Sequence, residues 1–401
     1  MLQIRPFLLR LVHLHMTSDF RARELVRLLR RHEKEMVATL RAFVECESPS
    51  ADKAAVDRFG EMVAREWRRR DATVRVIRQR EAGNHVRAEI VPAARGKVGQ
   101  LLILGHLDTV YPLGTLRTMP FRAAGGRAFG PGTFDMKGGL VLALFAVDAL
   151  REAGLKPAKR LVFFWDSDEE IGSHSSRKLI EAEARRSDAV LVLEPSLGLR
   201  GDLKTQRKGV GTAEIIVRGR AAHAGIDPAA GVNAVHELAL QIERLMKMND
   251  PANGITVQAT VLAGGSASNV VPAEARAQVD VRCARLADVM KVNRRLRSMR
   301  PVLKGAKIEV RGGINRPPLE RTAAVRKLFA HAQKIAREMG IELREGSTGG
   351  GSDGNFTAAL GVPTLDGLGV VGDGAHALNE HLVIGKMAER AALIAALFAT
   401  L

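Results

Sequence analysis

At 401 residues the chain is too long for one ordinary core and fits two domains; its 46% hydrophobic and 26% charged content marks a folded chain rather than a disordered one. Only 4% of residues are aromatic, which argues against a base-stacking platform, and no apolar run approaches the roughly 20 residues that span a bilayer as a helix. The formal net charge of +17 would attract anions, but the arginine-rich stretches that carry it (21–31, 65–80 and 285–300) read most simply as solvated faces.

The first 16 residues are apolar in part, yet Arg5, Arg10, His13 and His15 interrupt them and no small-residue cleavage site follows. That is a poor secretory signal, so a cytoplasmic location is expected, with 1–16 an N-terminal extension. Residues 17–45 place apolar side chains at helical spacing and predict a helix. Short strands are predicted over 74–77 and 85–91, and a buried strand over 100–105. Cys46 and Cys283 are too few for a disulfide framework or a thiolate zinc site. A Gly- and Pro-rich loop runs to Gly132, an apolar helix over 138–154, and buried strands over 160–165 and 189–193. Strands alternating with helices predict an α/β domain with a mostly parallel sheet covered on both faces.

Near Gly209 the rhythm changes. Strands over 212–218, 255–262, 275–283 and 306–311, with helices over 231–248 and 289–299, spell β-α-β-β-α-β, a ferredoxin-like α+β layout. After Pro317 and Pro318 the first rhythm returns. We therefore expect one domain from 17–210 and 321–401, and a second, inserted domain over 211–320.

Chemistry-bearing residues cluster at predicted strand ends, where open α/β sheets bind ligands. His106 and Asp108 follow the strand over 100–105; alone, the pair also fits a hydrogen-bonded structural histidine. Asp135 sits in a glycine-rich turn before an apolar helix, where an N-cap is the simpler account. Asp166, Asp168, Glu169 and Glu170 crowd the next strand end, and such crowding costs repulsion unless a cation offsets it. Glu194 ends a further strand, and His376 precedes Glu380 and His381 late in the chain. Two histidines and several carboxylates, with no cysteine, suit zinc or another first-row divalent ion.

In combination and order, the segments Gly-His-Leu-Asp-Thr-Val, Gly-Pro-Gly-x-x-Asp-Met-Lys-Gly-Gly, Asp-Glu-Glu-x-Gly-Ser, Leu-Glu-Pro and His-x-x-x-Glu resemble the M20 metallopeptidases. The closest likeness is to glutamate carboxypeptidases and to their acetylornithine deacetylase and aminoacylase relatives. The resemblance implies two divalent ions, Zn2+ first with Co2+ or Mn2+ as alternatives. It gives His106, Asp135 and Glu194 to one ion and Asp135, Glu170 and His376 to the other, with Asp135 bridging. It makes Glu169 the catalytic base, has Asp108 orient His106, and puts a cis peptide after Asp135. His223 matches a histidine that reaches the partner subunit's site and stabilises the oxyanion. Asn269, Arg282, Gly350, Gly351 and Arg316 match substrate contacts. A homodimer follows, with the insert serving as dimerisation and lid domain.

The expected function is a two-metal hydrolase that cuts an amide bond beside a small-molecule amino acid with a free carboxylate, most simply releasing a C-terminal glutamate or similar residue. An N-acyl-amino-acid deacylase is the alternative, since the same motifs serve both. A polyanion- or nucleic-acid-binding protein is the reading from another class. It lacks any helix-turn-helix, zinc-finger or RNA-motif signature, so neither a nucleic acid nor a membrane is expected as partner.

Overall fold

A computed structural model describes residues 18–92 and 98–401; the expected extension over 1–16 lies outside them. Six strands form the central sheet, in the order Thr73–Ile77, His85–Ile90, Arg160–Asp166, Gln100–His106, Ala189–Val192, Thr364–Leu365. The last four run parallel to one another, and the first two are added antiparallel at one edge.

The sheet's apolar runs are continuous because both faces are covered. Leu101, Ile103, Phe163, Trp165 and Leu191 pack with the helices Lys53–Arg68, Gly138–Glu152 and Ile384–Thr400 in the larger core. The alternate residues Leu102, Leu104, Val162, Phe164, Val190 and Val192 face the other way, onto Ile180 and Ala184 of the helix Arg177–Ala184. Gly139 lets the helix Gly138–Glu152 come close to the sheet, for a Cβ there would lie 2.3 Å from the Leu193 carbonyl oxygen.

Residues 209–316 build a second sheet, antiparallel throughout, in the order Thr256–Gly264, Glu274–Cys283, Gly209–Arg218, Lys307–Arg316. The helices Ala234–Met246 and Leu286–Arg297 contribute Leu238, Leu245, Val289, Val292 and Leu296 to this part's own core. The order of connections and the two helices are those of a ferredoxin-like unit.

Three elements differ from expectation. The single helix over 17–45 is two helices, Ser18–Arg31 and Glu33–Glu45, broken at His32. The loop before Gly132 contains the short strands Arg122–Ala124 and Arg127–Phe129, which join Gly372–Asp373 and His381–Val383 in a small separate sheet. A strand over Leu203–Arg207, parallel to Glu345–Thr348, was not anticipated at all. Among the described residues, no helix is long and apolar enough to cross a membrane.

Candidate metal centre

Parallel neighbours end at the same edge of a sheet, so the chemistry carried by three strands converges. His106 ends one strand, the Asp166–Glu170 segment leaves the next, and Glu194 follows the third by two residues. Asp135 enters from the turn before the helix Gly138–Glu152, and its peptide bond to Met136 is cis. His376 arrives from a late loop in a left-handed conformation, φ 62°.

The resulting geometry is shared. His106 Nε2 lies 3.2 Å from Asp135 Oδ1 and 3.6 Å from Glu194 Oε1. His376 Nε2 lies 3.2 Å from Glu170 Oε2 and 3.5 Å from Asp135 Oδ2. Donor atoms of each trio, His106–Asp135–Glu194 and Asp135–Glu170–His376, lie within 4.8 Å of one another. One carboxylate therefore offers one oxygen to each trio. His381 does not join them: its Nδ1 bonds the Asn379 carbonyl at 2.9 Å.

The residues fit a pair of divalent ions. Buried Glu170 Oε1 has no hydrogen-bond partner, as expected of an atom that lacks a cation. Burial pushes Glu194 up to about 7, with Asp135 adding repulsion and Arg207 opposing. Hydrogen bonds to Asp135 and Glu170 push His376 up to about 10. Divalent ions bound to these trios would compete with protons for the same atoms.

Second contacts hold the donors. The Asp108 main-chain carbonyl accepts from His106 Nδ1 at 2.9 Å, while its carboxylate lies 3.5 Å from that nitrogen. The same carboxylate accepts from the main-chain N–H groups of Glu169 and Glu170 at 3.3 and 3.2 Å, and from Ser50 Oγ at 2.7 Å. Asp108 thereby fixes the acidic loop as well as the histidine.

Three further residues carry the site, and their roles were not read from the sequence. Buried Glu380 accepts from the N–H groups of Gly132, Phe134 and Asp135 at 2.9, 2.7 and 2.9 Å, which clamps the turn bearing Asp135. Buried Arg207 grips Asp366 through two bonds of 2.8 Å and reaches Glu194 Oε2 at 3.3 Å. It also donates to the carbonyls of Gly350 and Gly351 at 3.3 and 2.9 Å. Asp353 accepts from Ser173 Oγ and, at 2.9 Å, from Arg316. Glu380 had a visible signal in its motif; Arg207 had none, being one arginine among many.

Arg316 is buried rather than turned to solvent. It pairs with Glu169 Oε1 at 2.8 Å and donates to the Glu169 carbonyl at 2.6 Å. It thus grips Glu169 while also lining the cavity in which a substrate contact was expected of it. Arg282 pairs with Asp280 at 2.9 Å and donates to the Gly349 carbonyl at 3.1 Å. Glu169, Glu170 and His376 line this cavity, of about 790 Å3, together with Arg282, Asn293, Arg297, Arg316, Gly350 and Gly351.

Of the residues expected to touch substrate, His223 and Asn269 are not in that cavity's lining; nor are His106, Asp108, Asp135 and Glu194 of the metal centre. His223 is exposed, and its Nδ1 accepts from the N–H groups of Gly225 and Ile226, both at 3.1 Å. Asn269 lies beside it, its carbonyl accepting from Ala224 N–H at 2.8 Å. Whatever brings His223 to a site brings Asn269 as well.

The sequence model described as peptidase family M20/M25/M40 matches residues 102–400. Carboxypeptidase G2 of Pseudomonas sp. (strain RS-16) is 33% identical over 345 residues, 85% of this chain and 83% of that one. Succinyl-diaminopimelate desuccinylase of Azoarcus sp. (strain BH72) is 29% identical over 311 residues, 73% of this chain and 80% of that one. Among solved structures, the aminopeptidase PepT of Bacillus cereus ATCC 10987 superposes with a TM-score of 0.75 at 21% identity, covering 92% of this chain and 98% of that one.

Proposed function

Because this chain belongs to peptidase family M20/M25/M40, we propose that it is a two-metal hydrolase of the glutamate-carboxypeptidase kind, releasing an amino acid with a free α-carboxylate. The observation that carries the metal reading is the Asp135 carboxylate, with one oxygen toward His106 and the other toward His376. His106, Asp135 and Glu194 would hold one ion, and Asp135, Glu170 and His376 the other. Zn2+ suits this nitrogen-and-oxygen donor set.

When bound, such ions supply an acidified water and polarise the scissile carbonyl. The protein's own groups do the rest. Glu169, clear of both trios and held by Arg316, takes the water's proton and later gives it to the leaving amine. Arg282, beside the glycine loop, receives the α-carboxylate together with Asn269. His223 donates to the oxyanion. His223 and Asn269 are exposed on the insert, and in this reading a second copy would deliver both. The insert over 211–320 then serves as dimerisation and lid domain, joined to a catalytic part over 17–210 and 321–401.

The desuccinylase likeness favours a second reading, an N-acyl-amino-acid deacylase that uses the same residues on an acyl donor. One panel separates them: N-acyl-glutamates, N-acetyl-ornithine and dipeptides, offered to metal-stripped protein before and after Zn2+. We expect zinc-dependent turnover, fastest for the N-acyl-glutamates. Preference for N-acetyl-ornithine would instead assign the deacylase, and no turnover with any added divalent ion would reject both.

A further inference from the structure

Three guanidinium groups line the cavity, those of Arg282, Arg297 and Arg316. Two have carboxylate partners: Arg316 faces Glu169 and Asp353 at 2.8 and 2.9 Å, and Arg282 faces Asp280 at 2.9 Å. Arg297 has no hydrogen-bond or ion-pair partner among the described residues, so its charge is uncompensated where a substrate would lie.

Its placement is held by the fold. Arg297 ends the helix Leu286–Arg297, one turn after Asn293, so the two share a helix face. Asn293 Oδ1 accepts from Ile314 N–H at 3.2 Å, which ties that face to the strand Lys307–Arg316. Beneath it Gly312 and Gly313 keep the wall bare; at Gly313, with φ 129°, a Cβ would lie 2.9 Å from Asn293 Oδ1. A cation at a helix C-terminus is favourable in itself. Arg294 and Arg295 occupy the same last turn without lining the cavity, so that preference does not require Arg297 to face the cleft.

We propose that Arg297 is a second carboxylate-binding residue of the cleft, the group that recognises a substrate carboxylate other than the one next to the scissile amide. This rests on the hydrolase reading above and names the residue that would recognise a second carboxylate. The second carboxylate belongs either to the released amino acid's side chain or to the acyl group; both present the same chemistry to a guanidinium.

The test compares zinc-loaded wild type, Arg297→Gln and Arg297→Lys on three substrates. N-acetyl-leucine has one carboxylate, N-acetyl-glutamate adds one on the released residue, and N-succinyl-leucine adds one on the acyl group. Arg297→Gln should lower the kcat/KM ratio of one dianion to N-acetyl-leucine by about tenfold, through KM, with Arg297→Lys restoring part of it. The dianion that responds identifies the end. Equal change for all three substrates, as from a lid latch, would overturn the proposal, as would no change. Calorimetric binding of glutarate to the same proteins separates the two claims. If nothing is turned over yet Arg297→Gln weakens glutarate about tenfold, the subsite stands and the hydrolase reading falls. If glutarate binds both equally, the subsite falls.

Discussion

Burial raises the Glu169 carboxyl well above its usual range, while the Arg316 guanidinium at 2.8 Å pulls the other way. A base must accept a proton and then release it, and these opposed influences suit that exchange. Glu169→Gln keeps the volume and removes the basicity, so kcat should fall about 10²–10⁴-fold while metal content, measured by elemental analysis, stays unchanged. Near-normal kcat would remove Glu169 from the mechanism. Arg207 acts one step further back, through Glu194 and the glycine carbonyls. Arg207→Lys cannot reproduce the fork on Asp366 together with the Glu194 contact, so one of two ions should bind about 10–100-fold more weakly. Titration with Co2+, followed by its visible absorption, checks this; two unchanged affinities would make Arg207 a fold residue only.

At the scale of elements, the break at His32 is the clearest departure from the sequence pattern. Apolar spacing continues through it, with Leu25, Leu28 and Leu29 buried before and Met36, Leu40 and Phe43 after, so periodicity alone cannot show a change of direction. His32 bonds Glu35 and Glu152, each at 2.8 Å, and these contacts raise its pKa against a smaller effect of burial. A raised folded-state pKa gives stability that is fully present below the unfolded value near 6.5 and lost as pH rises through the folded value. His32→Gln should therefore cost about 0.5 kcal/mol at pH 5.5, after allowance for solvent screening, and close to nothing at pH 9. Denaturant melts at both pH values would show it, and equal losses would contradict it. The strand Leu203–Arg207 hid for a different reason. Lys204, Thr205 and Arg207 are polar yet buried, and the cost of burying Arg207 is offset by Asp366 and Glu194, which lie far from it in sequence or in another element. The central strands Gln100–His106, Arg160–Asp166 and Ala189–Val192 are buried on both faces, and their apolar runs carry their own signal. The two- and three-residue strands of the small sheet are too short to show any period.

Across the whole molecule, the two connections between the parts run side by side, bridged by Arg207 and Leu319. Arg207 precedes the insert's first strand and holds Glu194; Arg316 ends its last strand and holds Glu169. Both ends of the insert are thereby tied to carboxylates of the site. The convergence of His106, Asp135, Glu170, Glu194 and His376 was legible because each sits in a motif. The delivery of these two arginines was not, because it depends on how the parts are joined. The proposed second copy that would deliver the exposed pair His223 and Asn269 is tested by subunit mixing. His223→Ala and Glu169→Gln are each expected to be nearly inactive, whereas an exchanged equal mixture should recover roughly a quarter of wild-type activity, from heterodimers with one intact site. No recovery despite demonstrated exchange would place His223 in its own chain's site or in none.

Zn2+ binding to metal-stripped protein, read by calorimetry and elemental analysis beside hydrolysis of an N-acyl-glutamate, bears most directly on the central claim that Asp135 joins two ions in one hydrolytic site. The account predicts two ions per wild-type chain, turnover that appears with their uptake, and loss of turnover with weakened binding of both ions in Asp135→Ala. Full turnover with no ion, or Asp135→Ala that still binds two ions with wild-type affinity, would contradict it.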